Sequence, residues 1–199
     1  MAYSVVQKAL MRIRGHGRGW SFTPKDFLDL GGRAAVDQAL SRLARRGVIR
    51  RVGHGVYDYP RSNPKLGVLS PDLHAVAQAV GRKTRARLQV TGAQALNALG
   101  LSPQVPATIT YLTDGPSRRV RVGKQVIHFR HVTPRRLVGA GLPWSAVAQA
   151  LWFLGKDGVS TSAIHRLKDV LPPDQRSALL KADVPDWLRP ALKQLAQDS

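Results

Sequence analysis

Residues 23–59, TPKDFLDLGGRAAVDQALSRLARRGVIRRVGHGVYDY, carry two short helix signals, a glycine turn and a hairpin signal, in that order. Thr23-Pro24-Lys25-Asp26 can start a helix. The hydroxyl caps otherwise orphan amides, proline suits the first turn, and a carboxylate follows three residues after the cap. Phe27, Leu28 and Leu30 give this short helix an apolar side, and Gly31-Gly32 stops it. From about 33 to 46, Val36, Ala39, Leu40 and Leu43 recur at helical spacing. The opposite face holds Ala34, Gln38, Ser41 and Arg45, flanked by Asp37 and Arg42. Small, hydrogen-bonding and cationic side chains are what a helix lying in a DNA major groove presents to bases and phosphates. Gly47 ends that helix, and strands over 48–52 and 56–59 fold back across Gly53-His54-Gly55. The pattern predicts a winged helix-turn-helix.

The charge of the whole chain agrees with that reading. In 199 residues there are 31 Lys+Arg against 12 acids, a formal charge of +19. An excess of this size points to a polyanionic partner. It is uneven: residues 1–61 hold 12 cations against 4 acids, 62–140 hold 12 against 2, and 141–199 hold 7 against 6. All the acids are aspartate, and the absence of cysteine excludes disulfides and cysteine-ligated zinc. The N-terminal MAYSVVQKALMRIRGHG lacks an apolar leader core, and no apolar run reaches the length of a membrane span. A cytoplasmic protein without membrane contact is expected, from a GC-rich bacterial genome by its arginine and alanine usage.

On the N-terminal side, 4–14 places Val5, Val6, Ala9, Leu10 and Ile13 on one stripe and predicts the first helix of a three-helix core. Residues 15–19 form a basic glycine-rich loop that lacks the Gly-Lys-Ser/Thr ending of a phosphate-binding loop. Trp20-Ser21-Phe22 suits a short strand beside the wing. The prolines and asparagine of 60–64 predict a domain boundary.

Beyond it, Ser70-Pro71-Asp72 opens a helix through Leu73, Val76, Ala77 and Val80, followed by the basic run 81–87 and a short strand at 88–90. Thr91 caps a further short helix. Strands over 108–112, 118–122 and 125–131 come next, read as a three-stranded meander with turns at Asp114-Gly115-Pro116 and Gly123-Lys124. In 119–122 arginine and valine alternate strictly, arginine out and valine in. The last third is helical, over 143–154, 160–170, from 172 through 179–180, and 185–196, with Pro190 dividing or kinking the final segment.

The expected fold is therefore α+β in three parts. Residues 1–61 form a winged helix-turn-helix DNA-binding domain, 65–138 a small basic α+β domain, and 139–199 a C-terminal helical region. Candidate DNA contacts are Arg33, Gln38, Ser41, Arg42, Arg45 and Arg46 on and beside the second helix, with Arg50, Arg51 and His54 on the wing. Arg82, Lys83, Arg85, Arg87, Arg118, Arg119 and Arg121 make a second basic surface. Arg118, Arg119 and Arg121 should meet flanking DNA or an acidic partner.

No arrangement of residues points to catalysis. His128 and His131 are the one close histidine pair, and their spacing on a strand sends them to opposite faces. Glutamate is absent, the aspartates stand apart with no Asp-x-Asp, and no Gly-x-Ser-x-Gly elbow occurs. Neither a metal nor a cofactor is expected, and the chain reads as a binding protein.

Two runs, GWSFTPKDFLDLGGRAAVDQALSRLARRGVIRRVGHGVYDYP and TGAQALNALGLSPQVPATITYLTDGPSRRVRVGKQVIHFRH, resemble the AbiEi family over roughly residues 3–135. That family comprises the antitoxins and autorepressors of type IV, abortive-infection toxin–antitoxin pairs. The resemblance implies a winged-helix domain that binds repeats in its own promoter. It also implies a C-terminal part that counteracts a nucleotidyltransferase-like toxin, through a weak complex or none. Carried onto this chain, Gln38, Ser41, Arg42, Arg45, Arg50 and Arg51 become the DNA contacts. The alternatives are a stand-alone winged-helix regulator without a toxin, and an RNA-binding protein. The second lacks the aromatic strand face on which RNA bases stack.

Overall fold

The computed structural model describes residues 3–197. Helix α1 (Val5–His16) opens on a reciprocal cap: Ser4 N donates to Gln7 Oε1 at 2.9 Å, and Gln7 N donates to Ser4 Oγ at 3.4 Å. It buries Ala9 and Ile13 and runs two residues past the expected end, because the His16 ring stacks on Trp20 with centroids 3.8 Å apart. Strand β1 (Ser21–Phe22) leads into a single 3-10 turn over Pro24–Phe27. There Thr23 N donates to Asp26 Oδ2 at 2.7 Å, so the expected cap exists but closes only one turn. Leu28, expected in the core, is 42% exposed because that turn ends before reaching it.

Helix α2 (Arg33–Arg45) comes next, burying Val36, Ala39, Leu40 and Leu43 as their spacing requires. Strands β2 (Arg50–Gly53) and β3 (Val56–Asp58) form the wing hairpin. The three strands order as β1-β3-β2, with Ser21 opposite Asp58, and Phe22 and Arg51 both opposite Tyr57. Register slips between Arg51 and Gly53, a bulge that twists the wing near its tip. Phe22 lies 5.3 Å from Phe27 and 6.2 Å from Tyr57, ring to ring, closing the core over Ile13, Leu40 and Leu43. A fully buried leucine such as Leu40 contributes enough that truncation to alanine costs about 2–5 kcal/mol.

The proline-rich break at 60–64 is not a bare linker. It holds a small hairpin of β4 (Ser62–Asn63) and β5 (Gly67–Val68), whose turn is fixed by Asn63 Oδ1 accepting from Lys65 N and Leu66 N at 2.8 and 3.1 Å. Helix α3 (Leu73–Thr84) is capped by Asp72 and buries Val76, Ala77, Ala79 and Val80. Beyond α3 lie β6 (Leu88–Val90), α4 (Gly92–Ala98), β7 (Ile109–Thr113), β8 (Arg118–Val122) and β9 (Gln125–His131). The last four strands form one sheet in the order β6-β7-β9-β8. The three later strands are those the sequence predicts, but β9 lies between β7 and β8, so Asp114-Gly115-Pro116 joins strands that are not neighbours. The tight Gly123-Lys124 turn does join neighbours.

The helical region comprises α5 (Ser145–Gly158), α6 (Thr161–Val170), α7 (Pro173–Leu180) and α8 (Arg189–Ala196). Gly155 breaks α5 near its end with φ 72°, and Pro190 stands in the first turn of α8, separating it from a 3-10 turn at Asp186–Leu188. Leu151, Leu167, Leu179, Leu188 and Leu192 meet in one apolar core. Helix α4 packs on α5 at Gly92, where an added Cβ would fall 2.2 Å from Phe153 Cβ, so any side chain there must force the helices apart.

The chain divides into two compact units: Met1–Ala86 with Arg119–Ile127, and Arg87–Arg118 with His128–Ser199. Helix α3 therefore groups with the winged helix, although 60–64 reads in sequence as the boundary. The cause is polar as well as apolar. Arg82 donates to Ser21 O at 2.7 Å and to Asp26 Oδ1 at 3.1 Å, and Lys25 Nζ donates to Lys83 O at 3.0 Å.

Candidate nucleic-acid interface

Charge within the first unit is divided between pairs and unpaired cations. The unit holds 19 Lys+Arg and 5 Asp, and every one of those aspartates faces an arginine. The pairs are Arg12–Asp29 at 2.6 Å, Arg33–Asp37 at 2.7 Å, Arg50–Asp58 at 2.5 Å, Arg61–Asp72 at 4.0 Å and Arg82–Asp26 at 3.1 Å. No carboxylate is left over to neutralise the rest.

Helix α2 displays what remains. With Val36, Ala39, Leu40 and Leu43 turned into the core, Gln38, Ser41, Arg42 and Arg45 are exposed on the outer face beside Ala34 and Ala35. Arg46 is the exposed C-cap, and Gly47, at φ 68°, turns the chain toward the wing. Among the described residues, the side chains of Gln38, Ser41, Arg42, Arg45 and Arg46 have no hydrogen-bond or ion-pair partner in the chain. Arg33 is exposed but committed to Asp37 one turn along the helix.

The wing separates its two arginines. Arg51 is exposed with its side chain unpartnered, and His54 stands exposed at the two-residue tip. Arg50 is different: its guanidinium is engaged within the chain. Its guanidinium grips Asp58 across the hairpin through Nε–Oδ1 at 3.0 Å and NH2–Oδ2 at 2.5 Å, and its NH1 donates to Leu69 O at 2.9 Å. Asp58 is almost wholly buried, so this guanidinium neutralises a buried carboxylate and ties β2 to the segment before α3.

The second basic surface is similarly mixed. Arg82 bonds Ser21 and Asp26, and Arg87 bonds Asp114 through its backbone N and Nε, both at 2.8 Å. Arg118 is half-buried, its guanidinium over the Phe129 ring at 5.2 Å, and burial pushes its pKa below the ordinary arginine value. All three are engaged within the chain. Lys83 is half-buried at the wing, its Nζ 3.5 Å from where a Cβ on Gly55 would stand. Arg85 closes α3 in the left-handed conformation with its side chain exposed. Arg119 and Arg121 are exposed while Val122 is buried, as the alternation predicts. Sequence reasoning missed Lys124, exposed at the β8–β9 turn and a member of the same unit. Only its place after Gly123 hinted at it.

Arg87 and Arg12 each give the fold an acid-side pH dependence. The hydrogen bond from Arg87 holds the Asp114 carboxyl below the usual carboxylate range, and that from Arg12 does the same for Asp29. A depressed folded-state value stabilises the fold above the unfolded value of about 4 and loses that contribution as pH falls through the folded value. Melting temperature is therefore expected to fall on acidification below about pH 4. Arg87→Ala should flatten part of that decline in a pH series of thermal melts. An unchanged profile would show that Asp114 titrates alike in folded and unfolded chains.

Among the described residues there is no group of three or more His, Cys, Asp or Glu able to hold a metal ion, and no helix long and apolar enough to cross a membrane. His131 instead lies 3.0 Å, through Nδ1, from Gly115 O.

The N-terminal winged helix-turn-helix motif, with its unpaired basic helix face, is consistent with DNA-binding regulatory activity. Residues 8–179 match the family of unknown function DUF6088, and the chain belongs to that family. Among solved structures, it is similar to the crystal structure of the RV2827C protein from Mycobacterium tuberculosis, with 13% identity and a TM-score of 0.43 over 98% of this chain and 77% of that one. No curated protein matches it.

Proposed function

We propose that this protein is a cytoplasmic, non-enzymatic transcriptional repressor that binds double-stranded repeats in its own promoter. In this reading it is also the antitoxin of a type IV toxin–antitoxin pair whose toxin is nucleotidyltransferase-like. The observation that supports DNA binding is the outer face of α2. Gln38, Ser41, Arg42 and Arg45 stand exposed and unpartnered there, while every aspartate of the unit already has an arginine. Arginine and glutamine on a groove-facing helix donate to guanine and adenine edges, and the wing's Arg51 and His54 reach the backbone beside them. The antitoxin role rests on the resemblance of 19–60 and 91–131 to the AbiEi family.

The test is a salt-titrated gel shift on a duplex from the region upstream of the coding sequence, beside an unrelated duplex of equal length. Steep salt dependence on both and tighter binding to the first are expected, since each neutralised phosphate releases counterions. Arg45→Ala should cost about 1–3 kcal/mol on the upstream duplex and little on the unrelated one. Full operator preference in that variant would remove α2 from the role of reading helix. Co-expression with a nucleotidyltransferase from the neighbouring reading frame tests the second half. Growth rescue supports an antitoxin, and failure to rescue leaves a stand-alone regulator.

A further inference from the structure

We propose that the β8–β9 hairpin is an accessory wing of the DNA-binding unit, seated beside the first wing and holding the phosphates that flank the site bound by α2. This rests on the proposed DNA binding and extends its contact surface to a segment far downstream in sequence.

Three observations carry it. Residues Arg119–Ile127 group with the winged helix in one compact unit. The hairpin backbone lies directly on the wing: a Cβ built on Gly53 would stand 3.3 Å from Arg121 O and 3.9 Å from Val120 Cγ1. So close an approach of two backbones is one that glycine allows and a larger residue obstructs. Finally, the hairpin is basic and unneutralised. Arg119 and Arg121 share the exposed face of β8, and Lys124 is exposed at the turn. Among the described residues the side chains of all three lack a partner, and no acid occurs between Asp114 and Asp157.

The occupant is fixed by charge and continuity. Duplex DNA presents a phosphate about every 1.7 Å of axis, counting both strands, so a hairpin abutting a wing on the backbone is offered further phosphates without any new recognition element. Two arginines at i and i+2 on a strand point the same way and can hold a polyanion together. Such contacts position the protein and carry no base sequence.

The full-length chain tests this with the upstream and unrelated duplexes. Arg119→Ala/Arg121→Ala should lower the slope of log affinity against log salt by about 2, since each phosphate contact contributes about 0.9. Both duplexes should weaken by the same factor, and the hydroxyl-radical footprint on the upstream duplex should shorten at one edge. Both positions are exposed, so melting temperature should hold. Because the chain has no cysteine, Gln125→Cys accepts a single iron–EDTA chelate. It should cut DNA outside the stretch protected through α2.

An unchanged slope and footprint in the double variant, with Arg45→Ala still losing operator preference, overturns the accessory wing and leaves the DNA reading intact. So does a chelate that cuts nothing beyond the α2 footprint. Wild-type chain that binds neither duplex in a salt-dependent way overturns both.

Discussion

Alanine in place of Arg50 should lower stability by about 3 kcal/mol, the low end of the cost of stranding one member of a buried ion pair. The low end applies because Asp58 is 3% exposed while Arg50 is 30% exposed, so water already reaches part of the guanidinium. The substitution leaves a buried carboxylate uncompensated and deletes the hydrogen bond to Leu69 O. A drop in melting temperature of roughly 10 °C should result. Arg51, its neighbour, gives the contrast. It is exposed and unpartnered, so Arg51→Ala should change stability by no more than about 0.5 kcal/mol and reduce the salt slope of DNA binding by about 1. The Arg50 variant should keep the wild-type salt slope in whatever fraction stays folded. Arg50→Ala/Asp58→Ala should cost less than the two single changes together, because removing both charges leaves neither stranded. Thermal melts paired with salt-titrated gel shifts separate the two arginines. An Arg50 variant of normal stability and shallower slope would return Arg50 to the DNA.

That pair marks where the sequence was legible and where it was not. The second helix could be read because its determinants are local. Val36, Ala39, Leu40 and Leu43 repeat at helical spacing, all four are buried, and Gly47 ends the run. The exposure of Gln38, Ser41, Arg42 and Arg45 comes from the same periodicity. Which arginines are free is a different question, because pairing is decided between elements. Arg50 and Arg51 are indistinguishable in sequence. One faces Asp58 across a hairpin and the other faces solvent, and the bulge between Arg51 and Gly53 makes the facing pair hard to count out from the turn.

Strand order was hidden for a related reason. Turn signals show that strands succeed one another and not which become neighbours, so β9 between β7 and β8 had no local trace. Exposure of Leu28 was illegible because Thr23 and Asp26 signal a helix start without fixing its length. The Pro60-to-Pro64 break shows a non-local effect of another kind. Prolines and asparagine do turn the chain there, yet helix α3 brings it back onto β1, β3 and the Pro24–Phe27 turn.

Cutting the chain at that break should therefore abolish the fold. A fragment of residues 1–61 keeps α1, α2 and the wing but loses α3 and the packing it supplies. Helix α3, which buries Val76, Ala77, Ala79 and Val80, packs on β1, β3 and the Pro24–Phe27 turn. Without it the apolar surface those elements bury against it is returned to water, at about 25 cal/mol per Å². Ser21 O loses its bond from Arg82, Asp26 loses its ion pair, and Arg50 loses Leu69 O. Domains of about 60 residues are already marginal, with a net stability of order 5 kcal/mol or less, so these losses together exceed the reserve. The expected result is a fragment with no cooperative thermal transition by circular dichroism and no preference for the upstream duplex. Extending it to residue 86 restores α3 and its three polar ties. That longer fragment should melt cooperatively and select the upstream duplex, with a shallower salt slope than the full chain because Arg119, Arg121 and Lys124 are missing. Cooperative melting and operator selection by 1–61 would show that α3 contributes neither to the core nor to the reading surface, and that the domain ends where the prolines stand.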